Sequence, residues 1–193
     1  MLTKKFKDYT VILASSSPRR QEIFKELDIP FKVVVKHVNE HYPQHLKAEE
    51  ITNYLARLKA KPFEDDLTTN EIIITADTIV WLENNSLEKP KSIKEATNML
   101  NLLSGKMHQV ITSVCIKTKD IEKVISSVTK VYFKELSDEE INYYVEKYHP
   151  LDKAGAYGIQ EWIGYIGVTK LEGSYFNVMG LPIDKLYEEL INL

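Results

Sequence analysis

Ser15, Ser16, Ser17, Arg19 and Arg20 stand together in one stretch, Val11–Arg20, that reads VILASSSPRR. Three hydroxyls and two guanidinium groups packed this closely suit the gripping of an anion. Arginine forks match phosphate oxygens two at a time. The flanking pattern sharpens the case. Val11–Ala14 is an apolar run of strand length. Ser17 fits a helix N-cap, and Pro18 fits the first helical position, where a missing N–H costs nothing. The stretch therefore predicts a strand-to-helix turn, with free N–H groups and a partial positive charge at its helical end. Arg19 and Arg20 then fall in the first helical turn, where the dipole disfavours each cation by roughly 0.3–1 kcal/mol. A polyanion such as phosphate would offset that cost. Two solvated arginines on a surface helix are the plain alternative.

Further along stand the cations Lys59, Lys89 and Lys153 and the acids Glu40 and Asp77. Asp77 interrupts the apolar run of Ile72–Leu82. A carboxylate in a buried strand is costly unless it is paired, hydrogen-bonded or metal-bound. The competing reading is a structural aspartate that caps a neighbouring loop. Lys59 also has a plain reading, since cations suit the C-terminal end of its helix. Taken together, several cations and two acids fit a nucleoside triphosphate with a divalent metal. Carboxylates hold Mg²⁺, which keeps several waters and bridges phosphates. One carboxylate can also deprotonate an attacking water. No G-x-x-x-x-G-K-[ST] cradle is present. His37, His41 and His45 recur at four-residue spacing, but Pro43 breaks any helix there. No metal site is expected at these histidines.

The elements that must position these groups read as α/β. Strands are expected at Val11–Ala14, Phe31–Val35 and Glu71–Leu82, with a hairpin of Met107–Lys117 and Lys123–Phe133 turning at Asp120. Helices are expected over Gln21–Leu27, Glu49–Lys61 and from Ile93, with Ser92/Glu95 as a capping box and Gly105 past its end. A second capping box, Ser137/Glu140, opens a helix with Ile141, Tyr144, Val145 and Tyr148 inward. Six of the seven glycines follow Pro150. That density implies tight turns and close backbone approach, with Asp152–Gly155 and Tyr157–Gln160 as a wall of the site. Trp162, Tyr165 and Ile166 are expected to pack inward. A final helix, 183–193, should bury Leu186, Tyr187 and Leu190.

The 193 residues are 44% hydrophobic and 27% charged, with a net charge of −3. That balance argues against non-specific nucleic-acid binding, which wants a basic face. The single cysteine, Cys115, excludes an intramolecular disulfide and sits in a strand pattern as a small core residue. The apolar run near the N-terminus is too short for a signal peptide or a membrane span. A cytoplasmic protein with no membrane partner is expected.

The ordered motifs resemble those of the Maf family, the septum-formation-associated nucleotide pyrophosphatases. Ser15–Arg20 is similar to its S-x-S-P-R-R signature, Asn39-Glu40 to its acidic loop, and Ala56–Ala60 to its A-x-x-K-A helix. Ala76-Asp77-Thr78, Lys89-Pro90, Leu103–Gly105 with His108, and Asp152–Gln160 follow in the family's order. Gly173–Tyr175 and Gly180–Pro182 complete it. The resemblance runs nearly end to end. It implies one Maf-like domain over residues 1–193, with two lobes around a central cleft. The implied fold is related to inosine triphosphate pyrophosphatases, with a long twisted mixed sheet flanked by helices.

The implied reaction is hydrolysis between the α- and β-phosphates of a nucleoside triphosphate, with Mg²⁺ or Mn²⁺ required. Asp77 matches the family's proton acceptor, and Asp77 with Glu40 would hold the metal. Ser15, Ser17, Arg19, Arg20, Lys59, Lys89 and Lys153 would meet phosphate, although Lys153 has the alternative of pairing with a neighbouring acid. Arg19, Thr78 and Gln160 match the branch acting on dTTP and UTP, and a hydroxyl with an amide can pair a pyrimidine edge. House-cleaning of modified nucleotides is compatible with that activity, and a homodimer is held open. A non-catalytic nucleotide-binding regulator of septum formation, or a pyrophosphatase for another nucleotide, are the alternatives. Two positions depart from the pattern. Glu161 replaces the glycine expected after Gln160, and Tyr148-His149 replaces a small residue and glutamate.

Overall fold

Helix α1 (Leu2–Lys5) precedes strand β1 (Thr10–Leu13), the first of seven strands in a mixed sheet ordered β2-β1-β3-β5-β6-β7, with β4 paired to β3. The computed structural model describes residues 2–193. After β1 come α2 (Pro18–Lys25), β2 (Phe31–Val33), α3 (Glu49–Ala60), β3 (Glu71–Leu82), β4 (Asn85–Leu87) and α4 (Ile93–Leu103). Then follow β5 (Met107–Lys117), β6 (Glu122–Phe133), α5 (Asp138–Tyr148), α6 (Trp162–Gly167), β7 (Val168–Glu172), α7 (Tyr175–Val178) and α8 (Ile183–Asn192). β1 pairs parallel with β2 and β3, whereas β3–β4 and β6–β7 are antiparallel. Among the described residues no helix is long and apolar enough to cross a membrane.

The chain divides into two compact units. One takes residues through Asp77, Thr112–Ser127 and Gly180–Leu193; the other takes Thr78–Ile111 and Val128–Met179. Strand β3 passes from one to the other between Asp77 and Thr78. The first unit buries the clusters Ile12/Phe63/Ile73 and Ala56/Ala60/Cys115, and also Leu13, Phe24, Ile51 and Ile72. The second holds a core of Val80, Leu100, Val110, Phe133, Tyr144, Ile163 and their neighbours.

Most of the local expectations hold at the resolution that periodicity allows. β3 spans the expected residues, covered on both faces as its apolar run requires. Ser17 caps α2, and Ser137/Glu140 form the full capping box. Others fail for identifiable reasons. Ser92 accepts from the Glu95 N–H, but the Glu95 carboxylate reaches back to the Lys91 N–H, so that box is half made. The polar loop expected after α3 begins later, because the chain past Ala60 first tightens into a 3-10 helix over Lys61–Asp66. The short elements α6, β7 and α7 lie where the sequence showed only glycine-rich turns. Tyr165 is 77% exposed rather than packed, and Tyr187 is 41% exposed on α8 while Leu186 and Leu190 are buried.

Candidate functional site

The site is assembled from β3 outward. Thr75 and Asp77 share one face of β3, because side chains two apart in a strand do. The Thr75 hydroxyl donates to the Ala56 carbonyl of α3 at 2.6 Å, and both groups are buried. Thr52 on the same helix exchanges a buried 2.6 Å hydrogen bond with Ser113 of β5. These bonds fix α3 against the sheet through its buried residues Ile51, Leu55, Ala56 and Ala60. Lys59 follows Ala56 by three positions, one helical turn on. Its ammonium thereby meets Asp77, donating to Oδ1 at 2.7 Å. The same ammonium pairs with Glu40 at 2.9 Å. Lys59 thus joins the two acids that the sequence singled out.

Arg20 reaches the same place from α2. β1 ends at Leu13, and the last ladder bond from that segment is Ala14 N–H to the Ile74 carbonyl at 2.8 Å. The next carbonyl on that edge of β3 is Ala76, and the Arg20 guanidinium takes it, donating from Nη1 at 2.9 Å. Its Nε donates to the Gly180 carbonyl at 2.8 Å. The side chain therefore continues the ladder where the strand has stopped. Two backbone carbonyls, rather than a solvent shell, offset its position in the first helical turn. Burial lowers the Arg20 guanidinium from its ordinary value, while Asp77 raises it, Arg19 lowers it and Glu40 raises it. Arg20 is thus within electrostatic reach of both acids and of Arg19. The turn before it is closed by the Ser17 N–H, which donates to the buried Ser15 hydroxyl at 3.3 Å, and by the Gln21 side chain on the Ser15 carbonyl at 3.0 Å. The structure thus brings together Ser15, Ser17, Arg19, Arg20, Glu40, Lys59 and Asp77, all within one unit.

These residues fit a hard divalent cation. Asp77 is 6% exposed, and its Oδ2 is buried with no hydrogen-bond partner. With Glu40 the donor set is oxygen alone, which suits Mg²⁺ or Mn²⁺. Among the described residues no group of three or more His, Cys, Asp or Glu side chains gathers as a metal cage. Two carboxylates with phosphate and water oxygens making up the remainder is the usual arrangement for Mg²⁺ beside a polyphosphate.

The other candidates lie in the second unit. Thr78 follows Asp77 on β3 and, by strand alternation, projects to the opposite face. Lys89 is exposed just before the buried Pro90. Lys153 chooses between its two readings: its ammonium pairs with Asp152 at 2.7 Å and with Glu161 at 3.0 Å, and its side chain is 9% exposed. Gln160 is half-buried in the turn just before α6. Glu161, the departure from the family pattern, turns its carboxylate to Lys153 and to the Tyr144 hydroxyl. The Gly158 N–H donates to that hydroxyl at 3.0 Å. Burial first, and then the Glu161 hydrogen bond, push the Tyr144 phenol above its ordinary value.

Sequence reasoning gave His108 only as a motif position. It is buried on β5, its Nε2 shares a 2.7 Å hydrogen bond with the Tyr157 hydroxyl, and its ring meets Phe133 and Tyr157 edge-on. Burial pushes it down to about 4, so it is neutral. The available signal was its place on the inward parity of an apolar strand. Cys115 is buried as expected, and burial pushes its thiol up to about 12, which leaves it inert as a nucleophile.

The chain matches the family described as Maf-like protein over residues 10–193. A Flavobacterium johnsoniae protein described as dTTP/UTP pyrophosphatase is 58% identical over 193 residues, covering 100% of both chains. A Flavobacterium psychrophilum protein of the same description is 55% identical, covering 100% of this chain and 98% of its own. The solved Staphylococcus aureus Ham1 protein aligns at 16% identity and a TM-score of 0.49, over 64% of this chain and 71% of that one. With the family match reaching from the first strand to the last helix, and relatives sharing more than half of its residues end to end, the chain belongs to the Maf-like protein family.

Proposed function

We propose that the protein hydrolyses dTTP and UTP to the nucleoside monophosphate and pyrophosphate. One observation carries the reading: Lys59 bridges Glu40 and Asp77 beside Arg20, while the buried Asp77 Oδ2 has no hydrogen-bond partner. A base with one oxygen held and one unpartnered, flanked by fixed cations, is suited to taking a proton from water next to a polyphosphate. Full-length relatives that are 50–58% identical and described as dTTP/UTP pyrophosphatases support the substrate choice.

In this reading Asp77 accepts a proton from water as its oxygen attacks the α-phosphorus. The bond from the α-phosphorus to the bridging oxygen breaks, and its electron pair leaves with pyrophosphate. Arg19 and Lys89 stabilise the charge that develops there, Lys59 holds the Asp77 and Glu40 carboxylates in place, and the Ser15 and Ser17 hydroxyls orient the phosphates. Arg20 holds the edge of β3 in place and adds its charge. Asp77 and Glu40 would hold a divalent cation, which would neutralise phosphate oxygens when bound. Lys153, neutralised by two acids, is assigned to holding its own loop. Gln160 reads the base. Thr78 projects from the face of β3 opposite Asp77, so its base-reading role stands on one test: Thr78→Val should weaken the preference for dTTP and UTP, and an unchanged preference removes the role. The substrates place the reaction among the cytoplasmic nucleotide pools.

The test is pyrophosphate release from a panel of purified nucleoside triphosphates, with Mg²⁺ and with Mn²⁺. Turnover led by dTTP and UTP is expected. Turnover led by a purine would keep the hydrolysis and discard the base assignment. Nucleotide binding without release from folded protein would replace the enzyme with a nucleotide-binding regulator.

A further inference from the structure

The turn that carries Gln160 is held by a set of contacts centred on Glu161 and Tyr144. Its carboxylate pairs with the Lys153 ammonium at 3.0 Å and accepts from the Tyr144 hydroxyl. That hydroxyl in turn accepts the Gly158 N–H at 3.0 Å. The Glu161 N–H closes the loop on the Gly158 carbonyl at 3.0 Å. Gln160 thus lies inside a ring made of Gly158, Tyr144 and Glu161. Tyr144 is fully buried, and the Lys153 and Glu161 side chains are only 9% and 19% exposed, so water competes little for these bonds.

Two glycines let the ring close. A Cβ on Gly158 would stand 2.8 Å from the Glu161 carboxyl carbon, and one on Gly164 would stand 1.9 Å from the Ile159 carbonyl oxygen. Glu161 also sits at the N-cap of α6 and makes no capping bond; its carboxylate is turned to Lys153 and Tyr144 instead.

We propose that Glu161 is a positioning residue for base selection: through Tyr144 and Lys153 it fixes the turn from which Gln160 meets the pyrimidine. The inference rests on the base-reading role assigned to Gln160 under the proposed function. It gives the departure from the family pattern at position 161 a purpose. The glutamate does not enter the base pocket as a charge, since Lys153 neutralises it and Tyr144 binds it. It fixes the backbone on either side of Gln160, and with it the point from which that side chain starts. A base edge that presents oxygen at one position and an amino group in its analogue is then met from a fixed backbone position rather than a mobile one.

The experiment compares kcat and KM for dTTP, UTP and CTP in the wild-type protein, Glu161→Gln and Tyr144→Phe. Loss of one charge-assisted hydrogen bond should raise KM for dTTP and UTP about tenfold and reduce the preference over CTP by a similar factor, with kcat within about twofold. The Gly158 amide should exchange faster in both variants. Unchanged KM and preference in both variants overturns the inference. So does an equal fall in kcat for all three nucleotides with the preference intact, which is the signature of a merely structural role. Should Glu161→Gln fail to fold, Tyr144→Phe removes a single oxygen and carries the same comparison. A wild-type protein that turns over none of the nucleotides overturns the proposed function, and this inference falls with it. An active wild type with unaffected variants overturns this inference alone.

Discussion

At Asp77 the two carboxylate oxygens have different fates: one is held by Lys59 and the other is buried without a partner. Asp77→Asn keeps the shape and the Lys59 contact but removes the basicity. Pyrophosphate release should fall by at least about 100-fold, the scale of a lost general base, with circular dichroism unchanged. A wild-type rate in the folded variant would remove Asp77 as the base. His108 supplies a pH signature of a different kind. Its folded value of about 4 lies below the ordinary 6.5, so the folded chain refuses a proton that the unfolded chain accepts. Stability should therefore be independent of His108 above pH 6.5. It should fall as pH drops from 6.5 towards 4, by about 3 kcal/mol in all, and level off below. Urea midpoints measured across that range should lose this slope in His108→Gln. An identical slope in the variant would place the titration elsewhere.

At the scale of elements, one helix and one strand do most of the positioning. The Thr75 hydroxyl on the Ala56 carbonyl sets the height of α3 against β3, and that height puts Lys59 onto Asp77. Thr75→Val preserves volume and removes the donor. It should cost about 1–2 kcal/mol in a denaturant titration and lower pyrophosphate release while nucleotide binding persists. Stability loss with full activity would show that the bond only holds the core. β3 was readable from its amino acids because a long apolar run interrupted by one carboxylate has few interpretations. The Ser17 cap and the β5–β6 hairpin were readable because their signals are local. Arg20 was half readable: its misfit with the helix dipole was visible, but the carbonyls of Ala76 and Gly180 that resolve it are distant in sequence. The same holds for Lys153, whose acidic neighbour was visible but whose burial was not. Helices α6 and α7 escaped because four to six residues are too few for a period to register. Tyr187 was misread because an amphipathic stripe does not say where the helix's buried face ends.

For the whole molecule, the division into two units does not follow the order of the chain. Five segments alternate between them, and the first unit is completed only by Gly180–Leu193. That segment supplies the Gly180 carbonyl to Arg20 and the buried Leu186 and Leu190 of α8. A chain ending at Met179 should lose both leucines, each contributing roughly 1.5–3 kcal/mol of burial, and the anchor of Arg20. Its soluble yield and far-ultraviolet circular dichroism should both drop. A truncated chain as helical and as soluble as the full one would show that the first unit stands without its last segment.

The Arg20 contact also has a consequence in time. Its two carbonyl partners are separated from it by 56 and 160 residues. At ordinary synthesis rates of about 5–20 residues per second, Ala76 emerges roughly 3–11 s after Arg20 and Gly180 roughly 8–32 s after it. During that interval the guanidinium waits for its second carbonyl, and the group that fixes the edge of β3 becomes fully bound only after Gly180 has been made. The acid–base pair of Asp77 and Lys59 is translated well before the frame around it can close.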